Sequence, residues 1–262
     1  MQNPKWLLKE GLIYLNHGSF GATPKVIMKK FIKLCKQVDK NPMKFYLDDY
    51  PQLLSDSRKA ISKFLNSRAE KIAFIDNATT GINSVMRSLQ PFIASDWEIL
   101  TTSHYYPAVK NTLDYISSVT GCKIVPVELP DFVESSAQLF DLITKQINKN
   151  TKLVVLDHIS SISGMILPVK EIIDHCKIKG IYTLIDGAHA PGLVNLNLKE
   201  LNPDWYTGNL HKWLFAPKGT AILYVNSIDD YKIHPVVISN NFGKEFIEEF
   251  DWVGTKNFCP WL

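Results

Sequence analysis

The sequence has few cysteines, and their positions exclude the sites that paired cysteines usually build. Only four occur in 262 residues, and none belongs to a CxxC pair: Cys35, Cys122, Cys176 and Cys259. Distant single thiols are not typical of a disulfide framework or of a zinc ribbon. The first residues also lack the basic-then-apolar layout of a secretion signal. We therefore expect reduced thiols and a cytoplasmic protein.

Long apolar runs and an excess of one charge are missing as well. No stretch approaches the roughly 20 apolar residues that a membrane helix needs. The formal net charge is +3, so nothing indicates the clustered basic face of a nucleic-acid-binding protein. With 45% hydrophobic residues the chain is still able to bury a sizeable core. These features favour a globular domain that binds neither a membrane nor nucleic acid.

The apolar residues that are present predict strands and helices in alternation. Short β-branched or apolar runs predict strands at 71–75, 98–103, 123–129, 152–160, 181–189 and 219–225. Helical spacing predicts a helix that opens near Thr79 or Thr80, and further helices at 107–119, 135–150 and 168–180. Such alternation is typical of an α/β fold, in which a mostly parallel sheet has helices on both faces.

Polar residues follow several of the predicted strands, where ligands of open α/β sheets usually bind. These segments are 77–80, 104–106, 158–161, 186–189 and 209–212. Asp186 ends an apolar run, and a buried carboxylate there needs a positive partner. Capping of the next turn is the simpler interpretation of Asp186. The segment "NATTG" offers hydroxyls and a helix N-terminus to an anion, although ordinary N-capping also explains it.

Four histidines and one lysine complete this group of residues. His104, His158, His189 and His211 each follow a strand, but no HExxH pattern or nearby thiolate favours a metal site. Lys212 lies between His211 and a tryptophan. Its side chain is able to pair with an anion when charged, or to form a Schiff base when desolvated and uncharged. A Schiff-base lysine, a carboxylate and a phosphate-binding helix start are together what pyridoxal 5'-phosphate (PLP) requires.

Several motifs resemble those of the class V aminotransferase family of fold-type I PLP enzymes. They are "NATTGIN", "HYYPAV", "DHISSISGMILPV", "LIDGAHAPG" and "NLHKWLFAPKG". Within this family the sequence is most similar to the branch named for isopenicillin N epimerase, which "YLNHGSFGATP" and "FDWVGTKNFCPWL" also resemble. The resemblance extends from about Tyr14 to Leu262. It implies the fold of a PLP-dependent transferase large domain.

The resemblance also implies roles for single residues. Lys212 would hold the cofactor as a Schiff base and then move the substrate α-proton. Asp186 would pair with the pyridine nitrogen, His189 would contact the phenolic oxygen, and Tyr106 would stack on the ring. The remaining implied cofactor contacts are Ala78 (backbone), Thr79, Ser161, Asn209 and His211.

Three further residues are implied to serve the substrate or a second subunit. Thr255 would reach the phosphate bound by the other subunit, so the resemblance implies a homodimer with the site at its interface. Asn16 and His17 would lie near the substrate mouth. The substrate would be a small amino acid or amine.

The resemblance predicts a division of the chain into an N-terminal segment and helix, residues 1–50, and a PLP-binding large domain, residues 51–262. Family members usually continue well past this point into a small C-terminal domain, which we expect to be absent here. That domain usually carries an arginine for the substrate carboxylate, and no arginine follows Lys212.

The leading hypothesis is therefore a PLP-dependent enzyme of the aminotransferase or epimerase type, which acts by Schiff-base formation and α-proton abstraction. One alternative is a cysteine desulfurase or lyase, but neither Cys122 nor Cys259 lies in a convincing mobile loop. Another is a non-catalytic PLP-binding remnant. A nucleotide-binding protein is disfavoured, because "GSFGATP" is neither GxGxxG nor a P-loop.

Overall fold

A seven-stranded sheet is the centre of the computed structural model, which describes residues 5–226 and 231–262. Its strands lie in the order β1-β7-β6-β5-β4-β2-β3. Their bounds are β1 Ile72–Ile75, β2 Glu98–Thr102, β3 Lys123–Val127, β4 Thr151–Asp157, β5 Tyr182–Asp186, β6 Trp205–Asn209 and β7 Ala221–Val225. Four neighbouring pairs are parallel, and only the pairs of β7 with β1 and with β6 are antiparallel. The predicted mostly parallel α/β sheet is confirmed.

Helices connect most of these strands and precede the first of them. The α-helices are α1 Lys25–Lys40, α2 Pro42–Lys44, α3 Tyr50–Phe64, α4 Ala78–Leu89, α5 Pro107–Thr120, α6 Ser136–Thr144, α7 Val169–Ile178, α8 Leu198–Leu201 and α9 Phe246–Asp251. A π-helical turn, Phe45–Asp49, joins α2 to α3, and short 3-10 turns lie at Ala69–Lys71, Gln90–Phe92 and Cys259–Trp261. In the described part of the chain no helix is long and apolar enough to cross a membrane.

Helices cover both faces of the sheet, which explains the continuous apolar runs of β1 and β7. Consecutive residues of β5 point to opposite faces: Ile185 packs in one hydrophobic cluster and Leu184 in the other. The first cluster includes Ile172 and Ile173 of α7. The second includes Ile82 of α4. Helices on both faces are what the sequence pattern predicts for a parallel sheet.

The strand directions bring distant segments of the chain to one edge. Because β7 is antiparallel to both β1 and β6, those two strands run in the same direction. Parallel pairing then aligns β6 with β5 and β4. The carboxyl ends of β1, β4, β5 and β6 therefore meet at the same edge, where the polar strand-end residues were expected.

Two local predictions differ from the structure. The helix predicted at 135–150 ends at Thr144, because a turn follows in which the Asn148 amide donates to the Thr151 hydroxyl at 3.1 Å. Strand β6 was not predicted, since Gly208 and Asn209 make it look like a turn. Its polar Thr207 is fully buried and donates its hydroxyl to the carbonyl of Ile222 at 3.0 Å.

The helices before the sheet are joined to the last residues of the chain. The Tyr50 hydroxyl, in the first turn of α3, donates to the carbonyl of Asp251 at 2.7 Å. Buried Arg58 of the same helix forms an ion pair with the Asp251 carboxylate. Helix α3 begins at Tyr50, so the predicted division between residues 50 and 51 lies at its first turn.

Candidate active site

A cavity of about 470 Å³ lies at the carboxyl edge of the sheet. This volume is within the range of pockets that hold small ligands, roughly 300–1,000 Å³. Nine of the residues singled out from the sequence line it: Ala78, Thr79, Tyr106, Ser161, Asp186, His189, Asn209, His211 and Lys212. The fold therefore gathers into one site residues that are up to 134 positions apart in the sequence.

The N-terminus of α4 forms one wall of the cavity. Asn77 caps the helix, and its Oδ1 accepts from the Thr80 amide at 2.9 Å. The Ala78 amide donates to Asn209 Oδ1 at 2.9 Å, which ties the helix start to the end of β6. Among the described residues, no protein group bonds the amide or the hydroxyl of Thr79. These free donors, with the positive end of the helix, suit an anion such as a phosphate.

Two buried carboxyl groups form the floor. Asp157 ends β4 and Asp186 ends β5, and they are partners in the parallel register. Neighbouring strands are about 4.8 Å apart, so the two carboxyl groups repel each other if both are ionised. Burial, followed by the charge of Asp186, raises the pKa of Asp157 well above its usual value. Burial also raises the pKa of Asp186, while an N–H donated by Ala188 at 2.9 Å favours its ionised form.

Lys212 reaches the cavity from the loop that connects β6 to β7. Its Nζ lies 3.1 Å from His189 Nε2, and its side chain is largely removed from solvent. Burial lowers the pKa of Lys212, although the Asp186 and Asp157 carboxyl groups oppose this shift. Burial and the neighbouring Lys212 lower the pKa of His189 to about 4. The imidazole is therefore neutral at physiological pH.

His189 lies between Trp213 and Lys212. Trp213 Nε1 lies 3.4 Å from His189 Nδ1, and an indole N–H donates only, so Nδ1 accepts in this contact. Lys212 Nζ lies 3.1 Å from Nε2, on the other side of the ring. Burial lowers the pKa of Lys212, which favours the uncharged and nucleophilic form of its amine.

A turn near the amino terminus forms the mouth of the cavity. Gly18, Ser19 and Phe20 line it. Asn16 holds this turn, because its Oδ1 accepts from the Ser19 amide at 3.1 Å and its Nδ2 donates to the Ser19 hydroxyl at 2.9 Å. Gly21 follows, and a Cβ there would lie 2.0 Å from the carbonyl oxygen of His211. Only glycine therefore allows this turn to pack against the lysine loop.

Three predicted site residues lie outside the cavity lining. Asn16 does not line the cavity itself, but its side chain holds Ser19, which does. The His17 ring packs edge-on against Phe215, with centroids 4.9 Å apart, and accepts from the Ala22 amide through Nδ1 at 3.2 Å. Thr255 is exposed on the surface. Its predicted contact with a second subunit is not tested by a single chain.

The four strand-end histidines divide into two groups. His189 and His211 line the cavity, whereas His104 and His158 do not. His158 Nδ1 lies 2.9 Å from the buried Tyr206 hydroxyl, so its ring serves the packing beneath the sheet edge. In the described residues no group of three or more histidine, cysteine or acidic side chains is arranged to hold a metal ion.

Asp157 is the lining residue of greatest chemical interest that sequence reasoning missed. The strand predicted at 152–160 runs through it, so it did not look like a strand-end residue. Asp157, like Asp186, is a buried carboxyl group at the end of an apolar strand, and it therefore also needs a positive partner or a proton. Comparison of these two strand ends was the signal that could have found it.

The stability of the protein should depend on His158 under mildly acidic conditions. Burial lowers the pKa of His158 from 6.5 to about 4, so between these pH values the unfolded chain binds more protons than the folded chain. The free energy of unfolding should therefore rise between pH 4 and pH 6.5. His158 contributes at most about 3 kcal/mol to this rise. Urea unfolding across this range should give a smaller rise for His158→Gln. An identical pH dependence in both proteins would contradict this role.

The sheet and its helices have the fold of fold-type I PLP-dependent enzymes. The chain belongs to the class V aminotransferase family, since the model described as aminotransferase class-V matches residues 13–253. The resemblance inferred from the motifs is thereby confirmed, and so is PLP as the cofactor of the family.

Similar proteins agree with this assignment. The chain is 29% identical over 264 residues to a probable chloroplastic L-cysteine desulfhydrase of Arabidopsis thaliana, covering 95% of this chain and 56% of that protein. It is 28% identical to isopenicillin N epimerase of Amycolatopsis lactamdurans, covering 95% of this chain and 66% of the epimerase. The chain thus spans about half to two thirds of the length of these relatives.

Solved structures share the fold. The structure of the cystine C-S lyase C-DES in complex with cysteine persulfide has a TM-score of 0.84 and 23% sequence identity, covering 95% of this chain and 68% of the lyase. A mutant of C-DES with glycine covalently linked to the PLP cofactor has a TM-score of 0.85 and 22% identity, covering 96% of this chain and 69% of the mutant. The likeness concerns the fold of the domain.

Proposed function

We propose that this chain binds PLP in the cavity at the sheet edge and acts on an amino acid or amine by α-proton abstraction. The observation that carries this proposal is the position of Lys212 Nζ, which shares one cavity with a buried carboxyl pair and a free helix N-terminus. When bound, PLP supplies an aldehyde that condenses with amines and a ring that draws electrons from the substrate α-carbon.

The donor set of the cavity suits such a cofactor. The unbonded Thr79 amide and hydroxyl would hold the phosphate, whereas the Ala78 amide, a predicted phosphate contact, already donates to Asn209 Oδ1. Asp186 would hold a proton between itself and the pyridine nitrogen, because a buried carboxylate is stabilised by a positive partner. The ring of Tyr106 is 45% exposed, so its face is available for stacking on a bound aromatic ring. Ser161, Asn209 and His211 also line the cavity.

Lys212 would serve both attachment and proton transfer. Its Nζ would hold the cofactor, for which PLP would supply the aldehyde, and it would serve as the base for the substrate α-proton when an amine substrate has taken its place. Burial lowers the pKa of Lys212, and a base whose pKa is lowered toward the working pH transfers protons efficiently. His189 positions this nitrogen through the contact of 3.1 Å between Nε2 and Nζ.

A persulfide-forming cysteine desulfurase receives no support from the site. No cysteine of the described residues lines the cavity. Burial and a hydrogen bond with Cys35 raise the pKa of Cys259 to about 12, so its thiolate is disfavoured. We therefore infer transamination or epimerisation as the type of reaction.

We further propose a homodimer in which the site is completed at the interface. Thr255 is exposed on the single chain, which is compatible with a contact to the phosphate bound by a partner. Residues 51–262 would form the cofactor-binding domain of each subunit. The cytoplasmic location inferred from the cysteines stays a prediction.

Exchange of the substrate α-hydrogen tests the proposal without knowledge of the product. The PLP-incubated protein is mixed in deuterated buffer with single amino acids and amines, and incorporation of deuterium at the α-carbon is followed by NMR. We expect catalysed exchange for at least one compound, with the keto acid or the inverted enantiomer as the product. Visible cofactor binding without exchange for any compound would favour the non-catalytic remnant.

A further inference from the structure

A second cavity lies at the opposite edge of the sheet. It has a volume of about 460 Å³ and forms where α3 and α8 end and where β7 ends. Lys71, which lies just before β1, and Asn226, which lies just after β7, line this second cavity at the amino end of β1. The cavity that contains Lys212, here called the catalytic cavity, lies beyond the carboxyl end of β1. With about 3.3 Å per strand residue, the two cavities are roughly 15 Å apart. Nothing in the proposed reaction uses this second cavity.

The lining of this cavity is strongly cationic. Lys63, Arg68, Lys71 and Lys199 line it, and no carboxylate does. Arg68 Nε forms an ion pair with Glu70 Oε1 at 3.0 Å, and both of these side chains are exposed. In the described residues no carboxylate lies within ion-pair distance of the other three cations. The cavity therefore concentrates positive charge on a chain that is otherwise nearly balanced.

A hydrogen-bond network builds the inner wall. Lys71 Nζ donates to Asn226 Oδ1 at 2.6 Å, and the buried Tyr224 hydroxyl donates to the same oxygen at 3.1 Å. Asn226 Nδ2 then donates to Asn202 Oδ1 at 2.5 Å. Because Asn202 Oδ1 accepts within this network, Asn202 Nδ2 remains a donor for another group. The wall thus presents amide and ammonium donors.

The backbone fixes the remaining cationic residues around this wall. The Lys199 amide donates to the carbonyl of Asn66 at 3.2 Å, which holds the start of α8 against the end of α3. Asn66 and Asn202 both have left-handed backbone conformations, with φ of 51° and 55°. Asparagine tolerates this conformation better than most residues, and the two turns shape opposite sides of the opening.

Burial and the neighbouring charges act on Lys71. Burial, followed by the charge of Arg68, lowers the pKa of Lys71, whereas Glu70 opposes this shift and Lys177 adds to it. An anion in the cavity would relieve the repulsion between these cations. Lysine and arginine donors are the usual partners of phosphate oxygens.

We propose that this cavity is a binding site for a small phosphate-bearing metabolite that carries at least two negative charges. Four cations around one cavity exceed what a single carboxylate neutralises, and the volume accommodates a ligand larger than an inorganic ion. The site contains no base or carboxyl group for chemistry, so it is a binding site and not a second catalytic centre.

Calorimetric titration with pyrophosphate tests this site. We compare wild type with Lys71→Met and with Lys199→Gln, and the matched control is Lys244→Gln, which removes an exposed lysine that does not line this cavity. We expect about tenfold weaker binding for each removed cation of the cavity, which corresponds to about 1.4 kcal/mol, and unchanged binding in the control. Equal affinity in wild type, Lys71→Met and Lys199→Gln would overturn the proposal, as would an equal loss in Lys244→Gln.

Two additions keep the test decisive. If Lys71→Met does not fold, Arg68→Gln replaces it, since Arg68 is exposed. Titration of Thr79→Asp distinguishes the two cavities, because its carboxylate would repel an anion from the start of α4: retained pyrophosphate binding supports the second cavity, and loss of binding assigns the anion to the catalytic cavity and overturns the proposal. This outcome is independent of whether the chain catalyses a reaction.

Discussion

Lys212→Ala should abolish covalent attachment of PLP while the fold remains intact. Lys212 lines the cavity with its Nζ beside His189, and its amine is the group that would condense with the aldehyde. Wild type should gain a visible absorbance band with PLP, and borohydride should fix the cofactor to the chain. The variant should show neither, and its melting temperature without PLP should be close to that of wild type, since a partly buried amine is removed.

The matched control for this experiment is Lys218→Ala. Lys218 belongs to the same loop but is exposed and does not line the cavity. It should retain the band and the borohydride-stable adduct. PLP at 100 times its dissociation constant should also stabilise wild type and the control by about 2.7 kcal/mol, and Lys212→Ala by much less. An adduct of undiminished yield in Lys212→Ala would contradict the assigned role.

Asp186→Asn should leave attachment of PLP possible but slow α-hydrogen exchange by about 100-fold or more. The carboxylate at the end of β5 would keep the pyridine nitrogen protonated, and an amide carries no charge for this purpose. Loss of a single preorganised electrostatic contact typically costs about 10²–10³ in rate. The measurement is the rate of deuterium incorporation by the PLP-loaded variant relative to wild type.

Asp157→Asn is a control at the neighbouring strand end. Burial, followed by the charge of Asp186, raises the pKa of Asp157 well above its usual value, which favours the protonated carboxyl group, and an amide has nearly the same shape. Exchange in Asp157→Asn should therefore stay close to the wild-type rate. If Asp157→Asn were the slow variant and Asp186→Asn the fast one, the two carboxyl groups would have exchanged roles.

Most of the site could be predicted from the sequence because parallel strands bring their carboxyl ends to one edge. Asp186 ends β5, His189 follows three residues later, and Lys212 comes after β6, and the cavity lies where those strands end. The free Thr79 donors follow from a helix start after a strand. What the pattern did not give is the interaction of Trp213 with His189, which depends on side-chain orientation in the lysine loop.

The order and direction of the last strands were harder to predict. β6 is buried along its whole length although Thr207 is polar and Gly208 has no side chain, so its pattern does not look apolar. A Cβ at Gly208 would lie 2.8 Å from Pro191 Cγ, which explains the glycine by close packing and not by a turn. No helix separates β6 from β7, so their antiparallel pairing was inferable only after β6 had been recognised.

Peptide mapping of the PLP adduct in the unmutated protein tests directly whether the cofactor is attached to Lys212. The protein is incubated with PLP, reduced with borohydride, digested and analysed by mass spectrometry. We expect the modified lysine in the peptide that contains Lys212, and we expect the yield of this peptide to increase with the absorbance of the visible band. An unmodified Lys212, with the adduct on another lysine or with none at all, would contradict this expectation.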